Sequence, residues 1–206
     1  MGHSTFFWQG YRAALPLIVG VMPFGIVFGA MARPAGMAPL EAVGMSFFVF
    51  AGSAQFVVTQ LLSNGASLLL ILSITFLINL RNFLYSASLA PLFSPLSGPV
   101  KWLLAFPVVD ETYALIIARS HRQDLTAPQL AWFAAGVSLN LMIIWLGATA
   151  LGSMMSDLMP PELTETLGFT LPLIFTGFIG SMLISGPARQ AAATAALVAI
   201  VLARLP

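Results

Sequence analysis

Two carboxylates, Asp110 and Glu111, stand side by side in FPVVDETYALI (106–116), a run otherwise apolar on both sides. On insertion scales a charge at mid-bilayer costs roughly 2.5–3.5 kcal/mol, so an ionised, lipid-facing pair costs ~5–7 kcal/mol. Neighbours on a helix diverge by about 100°. The two acids therefore cannot point the same way, and at least one needs a cavity, a partner or a proton. Such a pair suits carriage of a proton or the holding of a cationic group. The alternative is a structural duty in a broken segment close to water.

The natural counter-charge is Arg81, in LINLRNFLYSAS (77–88). Around it Thr75, Asn79, Asn82 and Ser86 recur at i, i+4, i+7 and i+11, one polar stripe on a helix. Arg81, Tyr85 and Ser88 make a second stripe beside the first. A polar stripe through an apolar run lines an aqueous cavity or a substrate path. Arg81 taken alone is equally compatible with a helix end that snorkels to lipid headgroups. A third motif, AGSAQF (51–56), sets small residues before a buried amide, Gln55. Small residues let helices touch, or let one helix unwind. An unwound start aims the free N–H groups around Gly52 and Ser53 at an anion such as a carboxylate. Asn140 supplies another amide in need of a partner, with Gly136 and Gly147 on its face.

Absences narrow the chemistry. His3 and His121 fall at the terminus and in a loop, and cysteine is missing altogether. No HExxH, GxSxG or Walker pattern occurs. The expectation is a protein that is not an enzyme and has no metal site or cofactor. A net charge of +1 without a basic patch speaks against nucleic acid.

The elements that must position these residues follow from composition. The 206 residues are 59% hydrophobic and 7% charged, with mean hydropathy +0.95. Soluble domains are about one quarter charged. The surface therefore faces lipid, where backbone polar groups must be satisfied internally. Long continuous apolar runs favour helices over a barrel. The chain reads as an all-α integral membrane protein, one transmembrane domain spanning residues 1–206 in a lipid bilayer. Ala30-Met31-Ala32 resembles a signal cleavage site, but the preceding run exceeds the ~7–15 residues of a signal core. It is read as an uncleaved first span.

Breaks at 33–36, 63–65, 91–99, 119–128, 157–165 and 186–187 leave about seven segments of spanning length: 13–32, 40–62, 66–89, 100–118, 129–154, 166–185 and 188–205. Pro23 and Pro107 are 84 residues apart, as are Ala51-Gly52 and Ala135-Gly136. Either these matches are chance, or 13–89 and 100–185 form a three-plus-three inverted repeat of Pro- and Gly-broken helices with a final helix at 188–205. Such repeats place a transporter's site at mid-membrane. Lys and Arg placement slightly favours a cytoplasmic N-terminus, with Arg12, Arg119, Arg122 and Arg189 on that side.

The ordered set PFG (23–25), AGSAQF (51–56), NLRN with LYS (79–82, 84–86), DETYAL (110–115) and SLN with a following Trp (138–140, 145) resembles the AzlC/YgaZ-type family, large subunits of bacterial branched-chain amino acid exporters. The likeness runs over nearly the whole chain. It implies efflux of leucine, isoleucine, valine and also methionine across the inner membrane by a secondary transporter. It also implies a small AzlD-type membrane subunit as partner. On that reading Arg81, or the N–H groups around Gly52–Gln55, takes the substrate carboxylate. Asp110 or Glu111 takes the ammonium or a coupling proton, and Gln55, Asn79, Asn82 and Asn140 orient the zwitterion. A passive pore for small neutral solutes and a non-transporting assembly subunit are the alternatives.

Overall fold

The computed structural model describes residues 2–122, 125–158 and 186–202, and every regular element among them is helical. The chain forms two compact units, Met1–Met159 and Pro160–Pro206. In the second, the described element is one helix, Gly186–Leu202, against the expected 188–205. The expected segment 166–185 lies outside the described residues.

Among the described residues, the first unit contains three helices long and apolar enough to cross a membrane: His3–Ala32, Leu68–Phe93 and Ala127–Met155. The first begins ten residues before the apolar run 13–32, because the segment preceding that run is itself helical. It consists of α1 (His3–Ala14), one 3-10 turn (Leu15–Leu17) containing Pro16, and α2 (Ile18–Ala32). Pro23 lies inside α2 and does not interrupt it. Ala135 and Gly136 likewise lie in uninterrupted helix. The 84-residue spacing thus pairs broken positions with unbroken ones.

The real breaks split the second and fourth expected spans. Residues 40–62 become α3 (Pro39–Phe48) and α4 (Gly52–Ser63). At this break Phe50 adopts φ +36°, a left-handed conformation unfavourable for an aromatic residue, and its side chain is buried. The start of α3 carries Pro39 in its first position, and the Ala38 N–H donates to the Glu41 carboxylate at 2.7 Å. After α5 (Leu68–Leu89), residues 100–118 become α6 (Gly98–Ala105) and α7 (Asp110–Ser120). Pro107 stands at this break and offers no N–H to continue α6; Phe106 before it keeps helical angles, and the chain turns extended at Val109. The Thr112 hydroxyl then accepts the Val109 N–H at 2.7 Å and starts α7. The acid pair, expected near the middle of a span, therefore occupies the first turn of a half-helix. The two breaks are adjacent: the rings of Phe47 and Phe106 lie 5.9 Å apart.

The core is organised on α8 (Ala127–Met155), whose start is closed by a Thr126 N–H donated to Gln129 Oε1 at 2.9 Å. The α1–α2 helix lies directly on α8, backbone to backbone. A Cβ at Gly10 would collide with the Phe133 carbonyl, and one at Gly136 with the Phe7 carbonyl. Further along, Gly29 touches the Thr149 carbonyl and Gly152 the Ile26 carbonyl. Partner numbers rise together along both helices, so the pair runs parallel, with His3 and Trp132 5.9 Å apart at its starting end. Small residues at interfaces are what lets membrane helices approach this closely.

Candidate functional site

Arg81 projects from the middle of α5 and joins the two breaks. One terminal nitrogen lies 2.8 Å from the Asp110 carboxylate, and the other donates to the Ser53 hydroxyl at 2.8 Å. Ser53 is the second residue of α4 and Asp110 the first of α7. A guanidinium is thereby held across the first turns of two half-helices, whose leading N–H groups have no intrahelical acceptor. Cation and helix ends both favour anions, and Asp110 already supplies one, at the start of α7 and on Arg81. The pair stays accessible, with 37% of the Arg81 side chain and 43% of the Asp110 side chain exposed.

The residues of both stripes lie along the continuous helix α5. Thr75, Asn79, Asn82 and Ser86 are all half-buried, and the Asn82 amide donates to Asn79 Oδ1 at 3.2 Å. Arg81, Tyr85 and Ser88 all meet α7. Tyr85 stacks on Tyr113 with centroids 4.6 Å apart, its hydroxyl lies beside Asp110, and Ser88 shares a 3.2 Å hydrogen bond with the Tyr113 hydroxyl. Two polar atoms here are buried with no partner among the described residues: Arg81 Nε, a donor, and Asn82 Oδ1, an acceptor. Buried polar groups are ordinarily paired, so an orphan donor and an orphan acceptor on adjacent residues match a ligand carrying an anionic and a cationic end. Glu111, half-buried, forms no ion pair among the described residues, and its carboxylate turns back on its own N–H.

Behind this cluster a buried chain of hydrogen bonds fixes the break before α4. Trp145 Nε1 donates to Gln55 Oε1 at 2.9 Å, and Gln55 Nε2 donates to Ser46 Oγ at 2.8 Å. The Ser46 hydroxyl shares a 2.8 Å bond with that of Thr149. A Cβ at Gly52 would approach the Trp145 ring to 2.9 Å, so the indole lies directly beneath the start of α4. Gln55 thus spends its amide on α3 and α8 and acts as a positioning residue. Ser46, Thr149 and Tyr113 were not singled out from sequence. Trp145 and Thr149 share a face of α8 at i, i+4, a spacing that could have drawn attention to them.

Asn140 stands apart from this cluster. Nine residues separate it from Thr149, which places the two on opposite faces of α8. It lies one turn beyond Gly136, which packs on α1, and it is wholly buried with both amide atoms unpaired among the described residues.

Residues 16–159 match the family model described as AzlC protein. The inner membrane protein YgaZ of Escherichia coli is 30% identical over 180 residues, covering 85% of this chain and 73% of the relative. The branched-chain amino acid transport protein AzlC of Bacillus subtilis is 25% identical over 179 residues, covering 85% and 68%. An uncharacterized membrane protein of Archaeoglobus fulgidus is 27% identical over 177 residues, covering 85% and 75%. No solved structure matches the chain.

Proposed function

Because the chain belongs to the AzlC family, we propose that it carries branched-chain amino acids out across the bacterial inner membrane as a secondary transporter. The observation that carries this reading is the Arg81 guanidinium held between two half-helix starts, with Arg81 Nε and Asn82 Oδ1 both buried and without a partner among the described residues. An amino acid brings a carboxylate, an ammonium and an apolar side chain. Its carboxylate takes Arg81 and the N–H groups of Gly52 and Ser53; its ammonium takes Asp110 and Asn82 Oδ1, with Asn79 orienting Asn82. Leucine, isoleucine, valine and methionine are weakly separated, because one methylene is worth only about 1–3 kcal/mol. Half-helices meeting at a polar site are a recurrent transporter device, and repeat units at 13–89 and 100–185 remain part of this proposal. So does a small AzlD-type subunit.

The test is counterflow of labelled leucine in proteoliposomes, with and without the co-expressed small subunit. Accumulation of label against unlabelled leucine inside, lost in Asp110→Asn, is the expected result. Equilibration without counterflow would replace the carrier by a passive pore, and no flux in either preparation would overturn the transport reading.

A further inference from the structure

We infer that the two adjacent carboxylates have separate duties: Asp110 belongs to the substrate and to Arg81, whereas Glu111 binds and releases the proton that couples transport. The inference rests on the transport reading above and divides what the sequence treats as one pair.

Charge balance carries the argument. Asp110 lies 2.8 Å from Arg81, with the Tyr85 hydroxyl at its side. A zwitterion entering this ion pair gives its carboxylate to Arg81 and its ammonium to Asp110. Each resident charge meets an opposite charge both before and after loading, so Asp110 stays matched throughout and gains nothing by exchanging a proton. Among the described residues Glu111 has no cation of its own in either state, and its carboxylate meets only its own N–H in the first turn of α7. Facing it are Asp110 on its own helix and the single cation Arg81 on α5, already engaged by Asp110 and Ser53. The long helix packed against α7, Ala127–Met155, contains no titratable residue, and none occurs in Gly52–Ser63. On α6 the Lys101 ammonium donates to the Ser94 carbonyl at 2.9 Å. With one N–H and no counter-cation of its own among the described residues, an acid in an apolar segment is neutralised by taking up a proton. The step is simple: the Glu111 carboxylate takes one proton from the solution on one side, holds it as the O–H of a carboxylic acid, and releases it to the other side. No bond of the substrate changes.

Counterflow and gradient-driven flux separate the two duties, since counterflow requires a substrate site but no coupling. In full-length protein in proteoliposomes, Glu111→Gln should keep leucine counterflow within about threefold of wild type and lose the change in flux that an imposed pH gradient produces. Asp110→Asn should lose counterflow itself. A gradient response that survives in Glu111→Gln overturns the inference. So does loss of counterflow in Glu111→Gln with an unchanged melting temperature, which would make Glu111 a substrate ligand. If Glu111→Gln does not fold, Glu111→Asp replaces it: a kept response with a shifted pH midpoint is expected, and an unshifted midpoint overturns the inference. Wild type with counterflow but no gradient response overturns the coupling role alone and leaves the transport reading standing. Wild type without counterflow overturns the transport reading.

Discussion

Arg81 makes two directed bonds with one planar group, to Ser53 and to Asp110. Lysine keeps the charge but has no fork with which to reach both partners. Arg81→Lys should therefore fold normally and raise the leucine KM roughly 10-fold or more, the loss of one charge-assisted hydrogen bond, as counterflow kinetics can measure. Opposite charges inside apolar runs have few ways to be satisfied, so the Arg81–Asp110 meeting was legible in the sequence. Ser46 and Thr149 were not. In membrane helices a hydroxyl commonly satisfies itself on the carbonyl four residues back, as Thr59 does on Gln55 and Thr75 on Ile71. Nothing in the sequence marks which hydroxyls instead reach another helix. Gln55 and Asn140 illustrate the same limit: both amides need partners, yet Gln55 has one on each amide atom and Asn140 has none among the described residues.

Helix interruptions divide along similar lines. The break at Pro107 could be read directly, because a proline removes a donor that the helix needs to continue. Pro23, with the same chemistry, leaves α2 continuous, as neighbouring helices often permit in membranes. The break before α4 contains no proline; Phe50 in a left-handed conformation makes it, and the Trp145–Gln55–Ser46–Thr149 chain holds it. That chain gives the break a measurable stability. Gln55→Leu leaves the Trp145 indole N–H without its acceptor in a buried place, a cost of about 1–3 kcal/mol. A lowered melting temperature in detergent is expected, together with weakened leucine binding as Ser53 loses its fixed position.

Across the unit as a whole, close packing of α1–α2 on α8 sets the framework. Gly136→Ala drives a methyl group into the Phe7 carbonyl, whereas Gly147 has nothing within 4 Å of a Cβ. The first substitution should destabilise the protein by about 1–3 kcal/mol, while Gly147→Ala should be neutral, a contrast that thermal melting followed by size exclusion will display. The membrane character and most helix positions were legible because the apolar runs are long; the depth of this contact was not, since glycine at an interface looks like glycine facing lipid. The contact also limits motion. Backbones that touch at Gly10, Gly136, Gly29 and Gly152 interlock like the teeth of a rack, and sliding by one residue would push a side chain into each meshing point. Translation of one long helix along the other is blocked, so the two move as one stator. On the proposed carrier reading, displacement that opens the site to one side or the other falls to α5 and to the half-helices α6 and α7, and the Arg81–Ser53 bond joins them to the start of α4, which Trp145 of α8 holds through Gln55.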